Sequence, residues 1–118
     1  EDGFRLELQP IWDVRARRVA GAEVLLRLGE GDDAVSPALF LPHAERSELI
    51  LAVDRWVVAH AVPLLARCQA VQPDFELAVN LSGRSIGDPV LERLILDSLD
   101  RHGVDPSGLV LEVTETAA

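Results

Sequence analysis

Four stretches of this chain place one strong polar side chain, or a pair, in an otherwise apolar run. They are Gln9 in FRLELQPIWDV, Glu23 with Arg27 in RRVAGAEVLLRL, Asn80 in FELAVNLS and Glu112 in LVLEVTE. Side chains alternate across a strand, so each stretch divides into two faces. Glu7, Gln9 and Ile11 oppose Leu6 and Leu8, and Gly21, Glu23, Leu25 and Arg27 oppose Ala22, Val24, Leu26 and Leu28. Likewise Ala78, Asn80 and Ser82 oppose Leu77, Val79 and Leu81, while Val110, Glu112 and Thr114 oppose Leu109, Leu111, Val113 and Glu115. One face of each strand is apolar and offers a seat for helices. The other face gathers a carboxylate, an amide and a second carboxylate from Glu23, Asn80 and Glu112. An all-oxygen donor set of this kind suits Mg2+, Mn2+ or Ca2+ rather than zinc. Each residue also has an ordinary reading: Glu23 as a solvent-facing edge residue, Asn80 as a turn former, Glu112 as half of a structural ion pair.

The elements that would position these groups follow from local signals. The first two stretches read as an antiparallel hairpin turning near Arg15–Arg17. Ser36 followed by Pro37 marks a helix start, and helical apolar spacing continues beyond it. The spacing predicts a short helix to about Leu41 and a long one from about Ala44, kinked or broken at Pro63. A strand over about Phe75–Leu81 comes next, then a helix opened by Asp88–Pro89 and closed at Gly103. The last strand is LVLEVTE. After the hairpin the order is β-α-β-α-β, which favours parallel strands with helical crossovers. The fold class is therefore α/β, a partial TIM-like barrel. Such barrels carry their reactive groups at the C-terminal ends of the strands.

Bulk properties narrow the function. At 118 residues, 48% hydrophobic and 26% charged, the chain has a globular composition, and a chain this long buries about two-thirds of its unfolded surface. The net charge of −9, with 11 basic residues that are all arginine and dispersed, argues against a nucleic-acid polymer or an anionic membrane as partner. Cys68 is the single cysteine, which excludes an intrachain disulfide and suggests a buried structural thiol. The longest apolar stretch is interrupted by Asp54 and Arg55, so no bilayer span and no direct membrane contact are expected. A cytoplasmic location is expected, although a longer parent could be membrane-anchored through other domains. The sequence contains no methionine and no lysine, and a chain cut from a longer one is expected. His43, His60 and His102 are dispersed on predicted helices, Trp12 and Trp56 read as packing anchors, and Arg15, Arg17 and Arg18 form a solvated basic tip.

In order and spacing, LQPI (8–11), GAEVLLR (21–27), LFLPHAERSELI (39–50), DRWV (54–57), NLS (80–82) and LEVTET (111–116) resemble the N-terminal half of the EAL domain, the bacterial cyclic di-GMP phosphodiesterase family. The resemblance covers nearly the whole chain, so residues 1–118 read as the N-terminal portion of one such domain. It implies a TIM-like barrel whose first strand runs antiparallel to the next. Glu23, Asn80 and Glu112 would be ligands of Mg2+ or Mn2+. Gln9 and Arg27 would contact cyclic di-GMP, with Arg27 on a phosphate, where a guanidinium fork matches two oxygens. Glu115, on the face opposite Glu112, would be a supporting acid.

Val24 stands where the family's signature has alanine, Gly83 and Gly87 are expected to loosen the segment after NLS, and Pro63 is expected to break a helix the family runs straight. The resemblance also implies that paired aspartates and a lysine belong to a second half. The sequence supplies no substitute lysine, so these residues alone are expected to be inactive. A non-catalytic cyclic di-GMP receptor or a protein-interaction module is the alternative. Half a barrel would leave an open sheet edge, so self-association into a homo-oligomer is expected. Linkage of the parent to GGDEF or sensor domains is expected from the resemblance.

Overall fold

The computed structural model describes residues 3–28 and 49–113. Strands β1 (Phe4–Asp13) and β2 (Arg18–Leu28) form the hairpin, followed by helix α1 (Leu49–Val71), strand β3 (Glu76–Leu81), helix α2 (Pro89–His102) and strand β4 (Leu109–Val113). The sheet runs β1-β2-β3-β4. β1 is antiparallel to β2, whereas β2–β3 and β3–β4 are parallel. This is the mixed sheet with helical crossovers expected from the element order, and it forms part of a barrel. The predicted helix start at Ser36–Pro37, the short helix to Leu41, the Ala44 boundary and Glu115 lie outside the described residues.

Helix α1 buries Ile50, Val53, Asp54, Val57, Val58, Ala61, Val62 and Leu65. These positions recur at three and four residues, a single stripe wide enough to face a sheet. The stripe packs with Ala22, Val24, Leu77, Val79 and Leu81 into one core, joined by Leu91 from α2. Pro63 lies inside α1 without ending it, which corrects the predicted break. The proline removes one backbone donor, but buried Ala61, Val62 and Leu65 hold both sides of it on the sheet. The unbroken helix has 23 residues. It is thus long and apolar enough to cross a membrane by length and composition, in spite of Asp54 and Arg55. It serves here as the core helix: Asp54 is buried in hydrogen bonds to Ser82 and Ser85, just beyond β3, and Arg55 grips Asp88 through two hydrogen bonds of 3.0 Å.

Asp88 also caps α2, accepting from Val90 N–H at 3.1 Å. Gly103 closes that helix at φ 65°, a left-handed backbone that glycine adopts without a Cβ clash. At the hairpin, the Asp13 carboxylate accepts from the N–H groups of Arg15 and Ala16, both at 3.0 Å. Arg18 is not merely solvated: it pairs with Asp74 at 2.7 Å. Trp56 packs edge-on to Phe4 and stacks on His60, as an anchor should. Trp12 is exposed, so the packing role expected for it does not hold among the described residues. Cys68 is free and half-buried.

Candidate functional site

Strand register decides which polar groups meet. Gln9 lies opposite Glu23, and Asn80 opposite Glu112. Glu23 pairs with Ala78, so Asn80 stands two residues further along on the same side. Gln9, Glu23, Arg27, Asn80 and Glu112 therefore share one face, the one opposite α1. Neighbouring strands lie about 4.8 Å apart, close enough for side chains to meet. The Asn80 amide nitrogen donates to Glu23 Oε2 at 2.9 Å. This bond leaves the amide oxygen of Asn80 and the second oxygen of Glu23 for other partners. Asn80 and Glu112 are exposed and Glu23 is half-buried.

Gly21 lets β2 approach β3. A Cβ there would sit 2.2 Å from the Glu76 carbonyl oxygen, well inside van der Waals contact. The glycine that opens the GAEVLLR segment thus sets the depth at which Glu23 stands. Val24 is buried on the helix side, so its departure from the family signature falls in the core and away from the polar face. Beyond the Val24–Val79 pair the two strands part. A pocket of about 230 Å³ opens there, lined by residues including Arg27, Asn80, Asp54 and Val57.

Asp54 is the residue that sequence reasoning missed. Its carboxylate is 4% exposed and accepts from the Ser82 N–H at 2.9 Å and from Ser85 Oγ at 2.5 Å. Ser82 Oγ in turn accepts from Arg84 N–H, closing the Gly83–Ser85 helical turn. The segment after NLS is thereby anchored rather than loosened by its glycines, and Asn80 is held at the end of β3. The available signal was an acid at a position the apolar stripe of α1 assigns to the core.

Arg5 and Glu7 also belong to the polar face. Glu7 takes Arg5 Nη2 at 2.7 Å and Arg27 Nε at 3.2 Å. The Arg5 hydrogen bond, with the charges of Arg5 and Arg27, holds the Glu7 carboxyl below its usual range. Glu115 is outside the described residues.

The donor chemistry fits a hard divalent cation, because the groups that Glu23, Asn80 and Glu112 offer on this face are carboxylate and amide oxygens. Among the described residues no three His, Cys, Asp or Glu side chains form a metal cluster by themselves. Glu23, Asn80 and Glu112 would hold an ion together with donors from elsewhere.

The mixed sheet, with helical crossovers on one face and oxygen donors on the other, is part of a TIM-like barrel. The chain belongs to the EAL domain family, whose model matches residues 1–118. It is 35% identical over 117 residues to the cyclic di-GMP phosphodiesterase PA2567 of Pseudomonas aeruginosa, covering 98% of this chain and 20% of that protein. Its fold matches the PaMucR phosphodiesterase in complex with c-di-GMP at TM-score 0.85 and 32% identity, over 99% of this chain and 48% of that one. It also matches a manganese and cyclic di-GMP complex of Klebsiella pneumoniae BlrP1 at TM-score 0.73 and 26% identity, over 98% of this chain and 28% of that one. Divalent metal dependence is a property of the family. The chain spans a fifth of the length of that curated relative and under half of these solved chains.

Proposed function

We propose that this chain is the first part of a domain that hydrolyses cyclic di-GMP to the linear dinucleotide. One observation carries the reading: register places Glu23, Asn80 and Glu112 on one exposed face, with Glu23 and Asn80 already joined by a 2.9 Å hydrogen bond. Glu23, Asn80 and Glu112 hold Mg2+ or Mn2+, and Gln9 and Arg27 orient the dinucleotide. When bound, the ion supplies Lewis acidity for attack of water on one phosphodiester. Arg27 offers a guanidinium to the phosphate, and the Asn80 donor bond fixes the Glu23 carboxylate before the ligand arrives. Asp54 keeps Asn80 in place from beneath.

The 118 residues alone are inactive on this reading, because the lysine and paired aspartates of the resemblance are not among them. The parent is cytoplasmic, or anchored through other domains, and joined to GGDEF or sensor domains. The half-barrel by itself self-associates through the β4 side, where Leu111 and Val113 are exposed. Light scattering of the purified chain tests that expectation, and a clean monomer refutes it.

The decisive experiment follows linear dinucleotide production in Mg2+ or Mn2+ by the complete domain carrying this segment. Turnover that Glu23→Gln reduces by at least about a hundredfold, the scale of losing one key electrostatic group, supports the reading. Tight binding without turnover identifies a receptor instead, and no binding at all overturns both.

A further inference from the structure

Glu7 stands between two guanidinium groups at the rim of the polar face. β1 pairs Arg5 with Arg27 and Glu7 with Leu25, so all three charged groups project on the side of Glu23 and Asn80. Arg5 Nη2 donates to Glu7 Oε2 at 2.7 Å, and Arg27 Nε donates to Glu7 Oε1 at 3.2 Å. Arg27 Nη1 reaches the Leu26 carbonyl at 3.4 Å, and its Nη2 makes no hydrogen bond to any described residue. The edge of Arg27 that would form a two-point contact with a phosphate is thus half occupied by an internal carboxylate.

We propose that Glu7 is an internal competitor for the ligand phosphate, a residue that sets affinity by occupying the Nε edge of Arg27 while the site is empty. The inference rests on the reading of Arg27 as a phosphate contact. A phosphodiester arriving at the Nε edge displaces Glu7. One arriving at Nη2 alone meets Glu7 as a neighbouring like charge on a face that also carries Glu23 and Glu112. Both routes lower affinity. The side chains of Arg5, Glu7 and Arg27 are 36%, 43% and 30% exposed. Ion pairs that open contribute little to stability and exchange readily with an incoming anion. The fold therefore does not depend on this pairing.

The test measures equilibrium binding of cyclic di-GMP in Ca2+ by the complete domain carrying this segment, for wild type, Glu7→Gln, Glu7→Ala, Arg27→Ala and the Glu7→Gln/Arg27→Ala pair. The expected result is that both Glu7 variants bind about three- to tenfold tighter, the scale of removing one screened like charge. They should also show a steeper dependence on salt, and the gain should vanish when Arg27 is absent. Wild-type binding with unchanged or weaker binding by both Glu7 variants overturns the inference and leaves the proposed function standing. Absence of wild-type binding overturns the proposed function and this inference with it.

Discussion

The two sides of the sheet are built on opposite terms. On the helix side Leu77 and Val79 are 0% exposed, and the buried acid Asp54 accepts from both an N–H and a hydroxyl. On the other side Gln9, Asn80 and Glu112 are exposed, and their neighbours are joined by single hydrogen bonds or open ion pairs. Adjacent residues of one strand, Val79 and Asn80, thus belong to different economies of interaction. Apolar burial, which is non-directional and additive with area, stabilises the first. The second keeps polar groups unsatisfied enough to receive a ligand. The comparison implies that stability and function separate by strand parity.

The largest expected effect is on the helix side. Leu65 is 0% exposed at the C-terminal end of the α1 stripe. Leu65→Ala should cost about 2–5 kcal/mol in urea unfolding, as leucine truncations in packed cores do. Next is Asp54→Ala, which leaves the Ser82 N–H and Ser85 hydroxyl without their shared acceptor. A loss of about 1–3 kcal/mol is expected. Asp54 links the two sides, so the same variant should weaken dinucleotide binding in the complete domain, whereas Leu65→Ala should leave it intact in molecules that remain folded. Glu23→Gln sharpens the contrast from the other side. Its stability change should stay within about 0.5 kcal/mol, while turnover collapses. A large loss of stability in Glu23→Gln would mean that the polar face is structural after all.

Much of this division was legible in the sequence because alternation in a strand is a hard geometric rule. The faces of all four strands, the hairpin, the Asp88–Pro89 start and the Gly103 stop follow from periodicity and capping chemistry. Long-range pairing was not legible. Nothing in the neighbourhood of Asp54 announces that Ser82 and Ser85 lie beneath it. Glu7 reads as one more strand acid until register brings Arg27 across from its neighbour. Pro63 misled for a related reason. Its local helix-breaking tendency is real, but the packing of Ala61, Val62 and Leu65 on the sheet outweighs one lost backbone bond. Trp12 shows the converse: an aromatic side chain carries no information on whether anything covers it.

The smallest expected effect concerns acid. Glu7, Asp74 and Asp105 all titrate below their ordinary values. Arg5 is the chief cause for Glu7, Arg18 for Asp74, and the Ser107 N–H and hydroxyl for Asp105. A carboxyl with a depressed folded pKa contributes stability that is fully present above its unfolded pKa. That contribution is lost as pH falls through the folded value. The urea midpoint should therefore be indifferent to these groups above the ordinary 4.5 of glutamate and decline only below it, with the aspartates following below 3.8. All three carboxyls are open to solvent, so the decline should be shallow. Carbon-13 titration of the Glu7 carboxyl separates its two partners. Arg5→Ala should raise its pKa more than Arg27→Ala does, because the shorter hydrogen bond comes from Arg5. The reverse order would make Arg27 the stronger partner, and displacing Glu7 would then be harder for a ligand than the open geometry of Arg27 implies.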